Sequence, residues 1–192
     1  MKKILMAVSV VLACAAVFAQ EEVPAPAQGQ VVAKAPATKA SWPVWLSFNS
    51  TKAIDVVGFR FTLPYGRCES VTGFDIGVYG ISRYFEGAQL NILRNEATDV
   101  MAGGQCGVYN SAGRADCIGA QLGLFNEARS MRGVQVGIIN LADNLYGVQV
   151  GLINRAETAY GFQVGGVNVI RESDLAFCPI VNIGFDMLTP AF

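Results

Sequence analysis

Histidine is absent from the 192-residue chain. That removes Ser–His and Cys–His nucleophiles and most zinc sites together. The groups left for chemistry are carboxylates, cysteines and amides. A carboxylate pair can hydrolyse a glycoside, but Asp99, Asp116, Asp143, Asp174, Glu127 and Glu157 fall mainly in short connections between repeated units. Solvated turn residues are expected there. Asp75 stands in a column otherwise filled by glutamine, and reads as a polar member of that column or an end-cap partner for Arg60 rather than a catalyst. Glycine-rich stretches such as AGGQCG (102–107) lack the Gly-Lys-Ser/Thr of a phosphate loop, and no Gly-Gly-x-Gly-x-Asp calcium repeat is present. No catalytic, cofactor-binding or metal-binding residue is expected.

The amides carry the pattern. Complete copies of Gly-x-Gln-x-Gly-x-x-Asn begin at Gly103, Gly119, Gly133, Gly147 and Gly161. A sixth, from Gly87, has Asn91 in the second glycine slot and Arg94 in the asparagine slot. Upstream, GFDIGVYG from Gly73 and GFRFTLPYG from Gly58 keep the frame but put Asp75 and Arg60 in place of glutamine. Downstream, FCPIVNIGF places Asn182 fourteen residues after Asn168. Atypical copies at both ends are what capping units look like.

Positioning these amides requires strands. Gln89, Gln105, Gln121, Gln135, Gln149 and Gln163 are separated by even steps of sixteen or fourteen residues, so an alternating chain returns each to the same face. One face collects Val134, Val136, Ile138, Val148, Val150 and Leu152, and the other Gly-Gln-Gly. Period two with enriched valine and isoleucine predicts β-strands, joined by short polar connections such as LADNLY and RAETAY. Ordering fourteen residues costs on the order of 14–28 kcal/mol of backbone entropy. Three or four buried aliphatics return roughly 1.5–3 kcal/mol each, so units must stack to fold.

Two all-β architectures satisfy this. In a β-solenoid of 14–16-residue units, equivalent residues pile up about 4.8 Å apart. The six glutamines form one ladder, and Asn110, Asn126, Asn140, Asn154, Asn168 and Asn182 form another at a corner. Amides suit ladders because each both donates and accepts. Eight or nine coils would give a rod of roughly 40 Å, with the aliphatic face inward, so that Val150→Asp unfolds the domain. The alternative is an antiparallel outer-membrane barrel with one strand per repeat, lipid-facing aliphatics, and Tyr109, Tyr146 and Tyr160 in an aromatic girdle. The similarity of all the connections counts against it, and strand polarity decides between them.

The rest of the chain points to export. Lys2 and Lys3, the apolar stretch Ile4 to Val17 and the small-x-small Val17-Phe18-Ala19 predict a signal peptide over 1–19. Val11-Leu12-Ala13-Cys14 also resembles a lipoprotein cleavage box, which would place lipid on Cys14. Residues 20–41, rich in Ala and Pro, read as a disordered tether, and the repeat domain occupies 42–192. A net charge of −1 gives no reason to expect nucleic acid. Of the remaining cysteines, Cys68, Cys106, Cys117 and Cys178, the frame puts Cys106 and Cys178 in the column of Val136 and Val150. They would lie about 24 Å apart in a stack, beyond disulfide reach, and read as small buried apolar residues. A Cys106–Cys117 bridge between adjacent units stays open.

The iterated GVQVGLIN units, GFRFTLPYGRCESVTGFDIGVYG and the closing CPIVNIGF, about two-thirds of the chain, resemble a family of exported bacterial surface repeat-containing proteins that includes leptospiral lipoproteins. The resemblance implies export and surface exposure and brings no catalytic residues. The expected function is a non-enzymatic surface or envelope repeat protein, structural or binding an unknown partner through its polar connections. A small outer-membrane barrel is the alternative, and membrane association would come from that barrel or from lipid on Cys14.

Overall fold

The computed structural model describes residues 42–50 and 54–185, which form a β-solenoid of about seven turns and not a barrel. The expected signal peptide (1–19) and tether (20–41) lie outside the described residues. Four strands, β1 (Trp42–Ser50), β2 (Asp55–Val136), β3 (Ile139–Ile170) and β4 (Phe177–Phe185), follow one another in a single sheet. Their polarity excludes the barrel: β1 is parallel to β2 and β2 to β3. β2 runs for 82 residues because the chain stays hydrogen-bonded to neighbouring coils as it passes each corner. Like pairs with like across the β2–β3 register, Gly133 with Gly147, Gln135 with Gln149 and Asn126 with Asn140.

Glycine makes one corner. Gly58, Gly73, Gly87, Gly103, Gly119, Gly133, Gly147 and Gly161 all have φ between +123° and +147°, a region that side chains rarely enter. They also stack so closely that a Cβ on Gly147 would lie 2.0 Å from the Gly133 carbonyl oxygen. Both constraints apply at every coil, hence the invariance of the first glycine of the repeat.

The faces are the reverse of those expected. Gln135, Gln149, Asn140 and Asn154 are fully buried, whereas Val150 is 38% and Leu152 60% exposed. Period two tells which residues share a face, and the inward one is normally identified by polarity. Here the polar face can be interior because identical amides stacked in register satisfy one another, which removes most of the cost of burying them. The apolar core comes instead from segments expected to be polar connections. LADNLY and RAETAY are strand, and they contribute Ala142 with Ala156 to one buried column and Leu145 with Ala159 to another. Met131, Met101 and Phe85 continue the second column toward the N-terminus.

The C-terminal end also departs from expectation. After Ile170 the chain turns back, and β4 pairs antiparallel with β3, setting Asn182 opposite Gln163 and Cys178 opposite Asn168. Asn182 is therefore not the next member of the asparagine ladder, and the coil count stops at about seven. The reason lies fourteen residues beyond Gly161 and Gly165, where Leu175 and Pro179 stand. Leucine can neither adopt the corner conformation nor fit against the Gly161 carbonyl, and proline removes a ladder donor.

Two substitutions test this assignment by urea denaturation followed by circular dichroism. Val150→Asp should fold and shift stability by no more than about 1 kcal/mol, while Leu145→Ala should cost about 2–5 kcal/mol. A Val150→Asp protein that does not fold contradicts the face assignment.

Candidate functional site

Two amide ladders run the length of the interior. In the glutamine ladder each Nε2 donates to the Oε1 of the preceding coil: Gln163 to Gln149 at 2.8 Å, Gln149 to Gln135 and Gln135 to Gln121 at 2.7 Å, Gln121 to Gln105 at 2.8 Å and Gln105 to Gln89 at 2.9 Å. The remaining hydrogens of Gln121, Gln135, Gln149 and Gln163 meet the backbone carbonyl six residues on, as Gln135 does at Leu141 (3.2 Å). The asparagine ladder runs with opposite polarity. Asn110 Nδ2 donates to Asn126 Oδ1, Asn126 to Asn140, Asn140 to Asn154 and Asn154 to Asn168, each at 2.8 Å. Its second hydrogens satisfy carbonyls in the next coil, as Asn140 does at Val150 (2.9 Å). The dipoles of one ladder thus oppose those of the other.

The N-terminal end of the asparagine ladder shows a residue that the spacing missed. The motif frame puts Arg94 in the asparagine slot, but it is Asn95, one position later, that donates to Asn110 Oδ1 at 2.8 Å and to the Cys106 carbonyl at 2.9 Å. Asn91, in the glycine slot of that coil, supplies both its backbone N–H and its Nδ2 to Asn95 Oδ1. The signal was available as a second asparagine beside the expected position. At the other end, Asn168 Nδ2 donates to the Cys178 carbonyl of β4 at 3.1 Å. Asn182 is buried and donates to the Leu175 carbonyl at 3.4 Å. Gln163 Oε1 is buried without a hydrogen-bond partner among the described residues.

The glutamine ladder ends on a charge. Gln89 Nε2 donates to Asp75 Oδ2 at 2.9 Å, and Asn91 Nδ2 to the same oxygen at 2.8 Å. Arg60 Nε donates to Asp75 Oδ1 at 2.8 Å, its Nη2 pairs with Oδ2, and its Nη1 donates to the Ile81 carbonyl at 2.9 Å. Thr62 Oγ1 adds a bond to Oδ1 at 2.9 Å. Arg60 and Asp75 are both wholly buried. Burial alone would raise the Asp75 pKa, but the hydrogen bonds and charge of Arg60, with the amides of Asn91 and Gln89, hold it below the usual carboxylate range. The positive ends of a row of amide dipoles point at this carboxylate, as at a helix N-terminus. Every lone pair of Asp75 is occupied, so the group is built to stay ionised and fixed in place.

The other candidate groups are dispersed. Asp99 and Glu69 flank Arg83 as a surface ion-pair row, and Glu157 pairs with Arg155 and Arg171. Exposed pairs of this kind contribute little each. Glu127 accepts the Tyr109 hydroxyl, and together with Asp143, Arg155 and Glu157 it lines a depression of about 210 Å³. Among the described residues no group of three or more cysteine or carboxylate side chains is placed to hold a metal ion. All four described cysteines are free, so Cys106 and Cys117 form no bridge. Cys117 is buried, and burial pushes its thiol up to about 12. Contrary to expectation, Cys106 is exposed because its column faces outward, and Cys178, half-buried, lies on the antiparallel β4 opposite Asn168 and outside that column.

The outward surface beside the glutamines is the remaining feature of the site. The residues immediately before and after each glutamine form two columns, running from Phe59 and Phe61 to Phe162 and Val164, with no charged or amide side chain in either. Val44 and Leu46 of β1 pair with Phe59 and Phe61 and extend the same columns by one rung. The class that fold and site define is an amide-laddered β-solenoid with exposed apolar columns beside the glutamines and, through Leu124, Ile138 and Leu152, beside the asparagines. No family model, curated protein or solved structure matches the chain.

Two measurements test the interior. Gln135→Met should cost about 2–5 kcal/mol in denaturant unfolding, because Gln121 Oε1 and the Leu141 carbonyl lose their donor. The folded Asp75 pKa is depressed, so its contribution to stability is present above the unfolded value of about 3.9 and is lost as pH falls through the lower folded value. Asp75→Asn should remove that acid-range dependence. It should also lower stability at pH 7 by about 3–5 kcal/mol, because Arg60 is left buried and unpaired.

Proposed function

We propose that this protein is an exported, non-enzymatic repeat protein of the cell surface or envelope: a rigid β-rod that serves as structure and binds through its outer faces. The observation that supports this reading most directly is the pair of apolar columns beside the glutamines, exposed or half-buried at each described coil and buried at none. Contiguous apolar surface of this extent on a folded protein marks a contact site. The Arg60–Asp75 pair and the ladder amides other than Gln163, the groups that would otherwise invite a catalytic reading, are hydrogen-bonded to one another inside the fold. We accordingly assign binding to the outer columns and not to LADNLY or RAETAY, whose alanines and Leu145 belong to the core. The signal-like N-terminus and the resemblance to surface-repeat proteins support export.

Fractionation of the producing cell tests this. The protein should appear in the envelope fraction, be cleaved by protease added to intact cells, and begin at Gln20 by mass spectrometry. A chain starting with acylated Cys14 would place it in the membrane through lipid. Retention in the cytoplasm with Met1 in place contradicts export.

A further inference from the structure

We propose that two copies of this chain pack face to face through the apolar columns beside the glutamine ladder, with the contact centred near Gly104. Gly104 is the observation that points there. The frame glycines are crowded by a neighbouring coil, whereas Gly104 fills the variable slot before Gln105, a Cβ built on it meets nothing within 4 Å, and its φ lies outside the left-handed region. Neither backbone conformation nor internal packing explains a glycine here, and in a strand glycine weakens the structure. What remains is close approach from outside. The profile of the column agrees. Phe74 and Phe162 stand toward its two ends, while Ala88, Gly104 and Ala120 leave a shallow trough between them.

The occupant follows from charge and area. A lipid headgroup surface attracts apolar faces rimmed with lysine or arginine. The columns carry none, the flanking column sets a single arginine, Arg132, against a single carboxylate, Glu86, and the chain is net −1. An uncharged face is complementary to itself, as an isologous two-fold contact requires. Seven turns at about 4.8 Å, by a face about 18 Å wide, give roughly 600 Å² per copy. The pair would bury about 1,200 Å², the lower edge of specific protein interfaces. Exposed Cys106 lies in the second column, two residues from Gly104. In either two-fold arrangement of the face it falls within about one rung or one column of its mate.

The inference deepens the reading above. A protein that is exported but monomeric overturns the pairing and leaves export standing. The chain as purified from the cell is examined by sedimentation equilibrium, with Gly104→Arg and Leu90→Glu beside it. The unaltered chain should sediment at twice its mass in the tens of micromolar. Both variants should keep its circular dichroism and associate at least ten-fold more weakly. If Gly104→Arg does not fold, Leu90→Glu, altered in the second column, decides alone. A short bismaleimide should give a covalent dimer on denaturing gels that Cys106→Ser abolishes. A monomeric unaltered chain, variants that associate as well as it does, or association replaced by binding to neutral phospholipid vesicles would each overturn the proposal.

Discussion

A buried side-chain amide needs another amide one coil away, at hydrogen-bonding distance and in the right orientation. Gln135 reaches Gln121 at 2.7 Å and receives Gln149 at the same distance, and no antiparallel or slipped arrangement repeats that contact. A slip of one residue would turn each glutamine outward and each flanking valine inward, stranding donors and acceptors along the whole rod at about 1–3 kcal/mol each. Parallel pairing, in-register stacking and the even repeat length all follow from keeping these bonds. The corner glycines then let the backbones approach closely enough for the bonds to form.

Much of this was legible in the sequence. The steps between glutamines give strands, shared faces and stacked units, and the ladder positions follow from the motif. What the spacing could not give was the sign of the faces. Hydrophobicity places Val134 and Val150 inside, and it fails because a ladder of identical amides is one of the few polar groupings that satisfies itself. The inversion carries other misreadings with it. Leu145 and Ala142 looked like parts of a polar connection because the core they fill was assigned to the valines. Cys106 looked buried because its column did. Asn95 was missed by a frame counted too rigidly across one irregular coil. The antiparallel return of β4 could have been anticipated from Leu175 and Pro179 standing where glycines are required.

The two ends of the rod are finished by different means. At the N-terminal side the glutamine ladder runs into Asp75, whose charge suits the dipoles arriving there and is balanced by Arg60. At the C-terminal side β4 gives Asn168 a backbone carbonyl in place of the next asparagine but leaves Gln163 Oε1 without a partner among the described residues. Isolated edges of a parallel stack invite further strands. The folded-back segment replaces that parallel edge with an antiparallel one that does not continue the amide ladders.

The opposed polarity of the two ladders bears on how such a protein lengthens over evolutionary time. Inserting one more fourteen-residue unit between Gly119 and Gly161 adds one amide pointing each way, so the rod gains length without accumulating a field along its axis. Neither terminus needs to be redesigned. Size can thus be adjusted by duplicating or deleting a short stretch of coding sequence, and the units beginning at Gly133 and Gly147, identical at nine of fourteen positions, keep in common the residues that such a copy must retain.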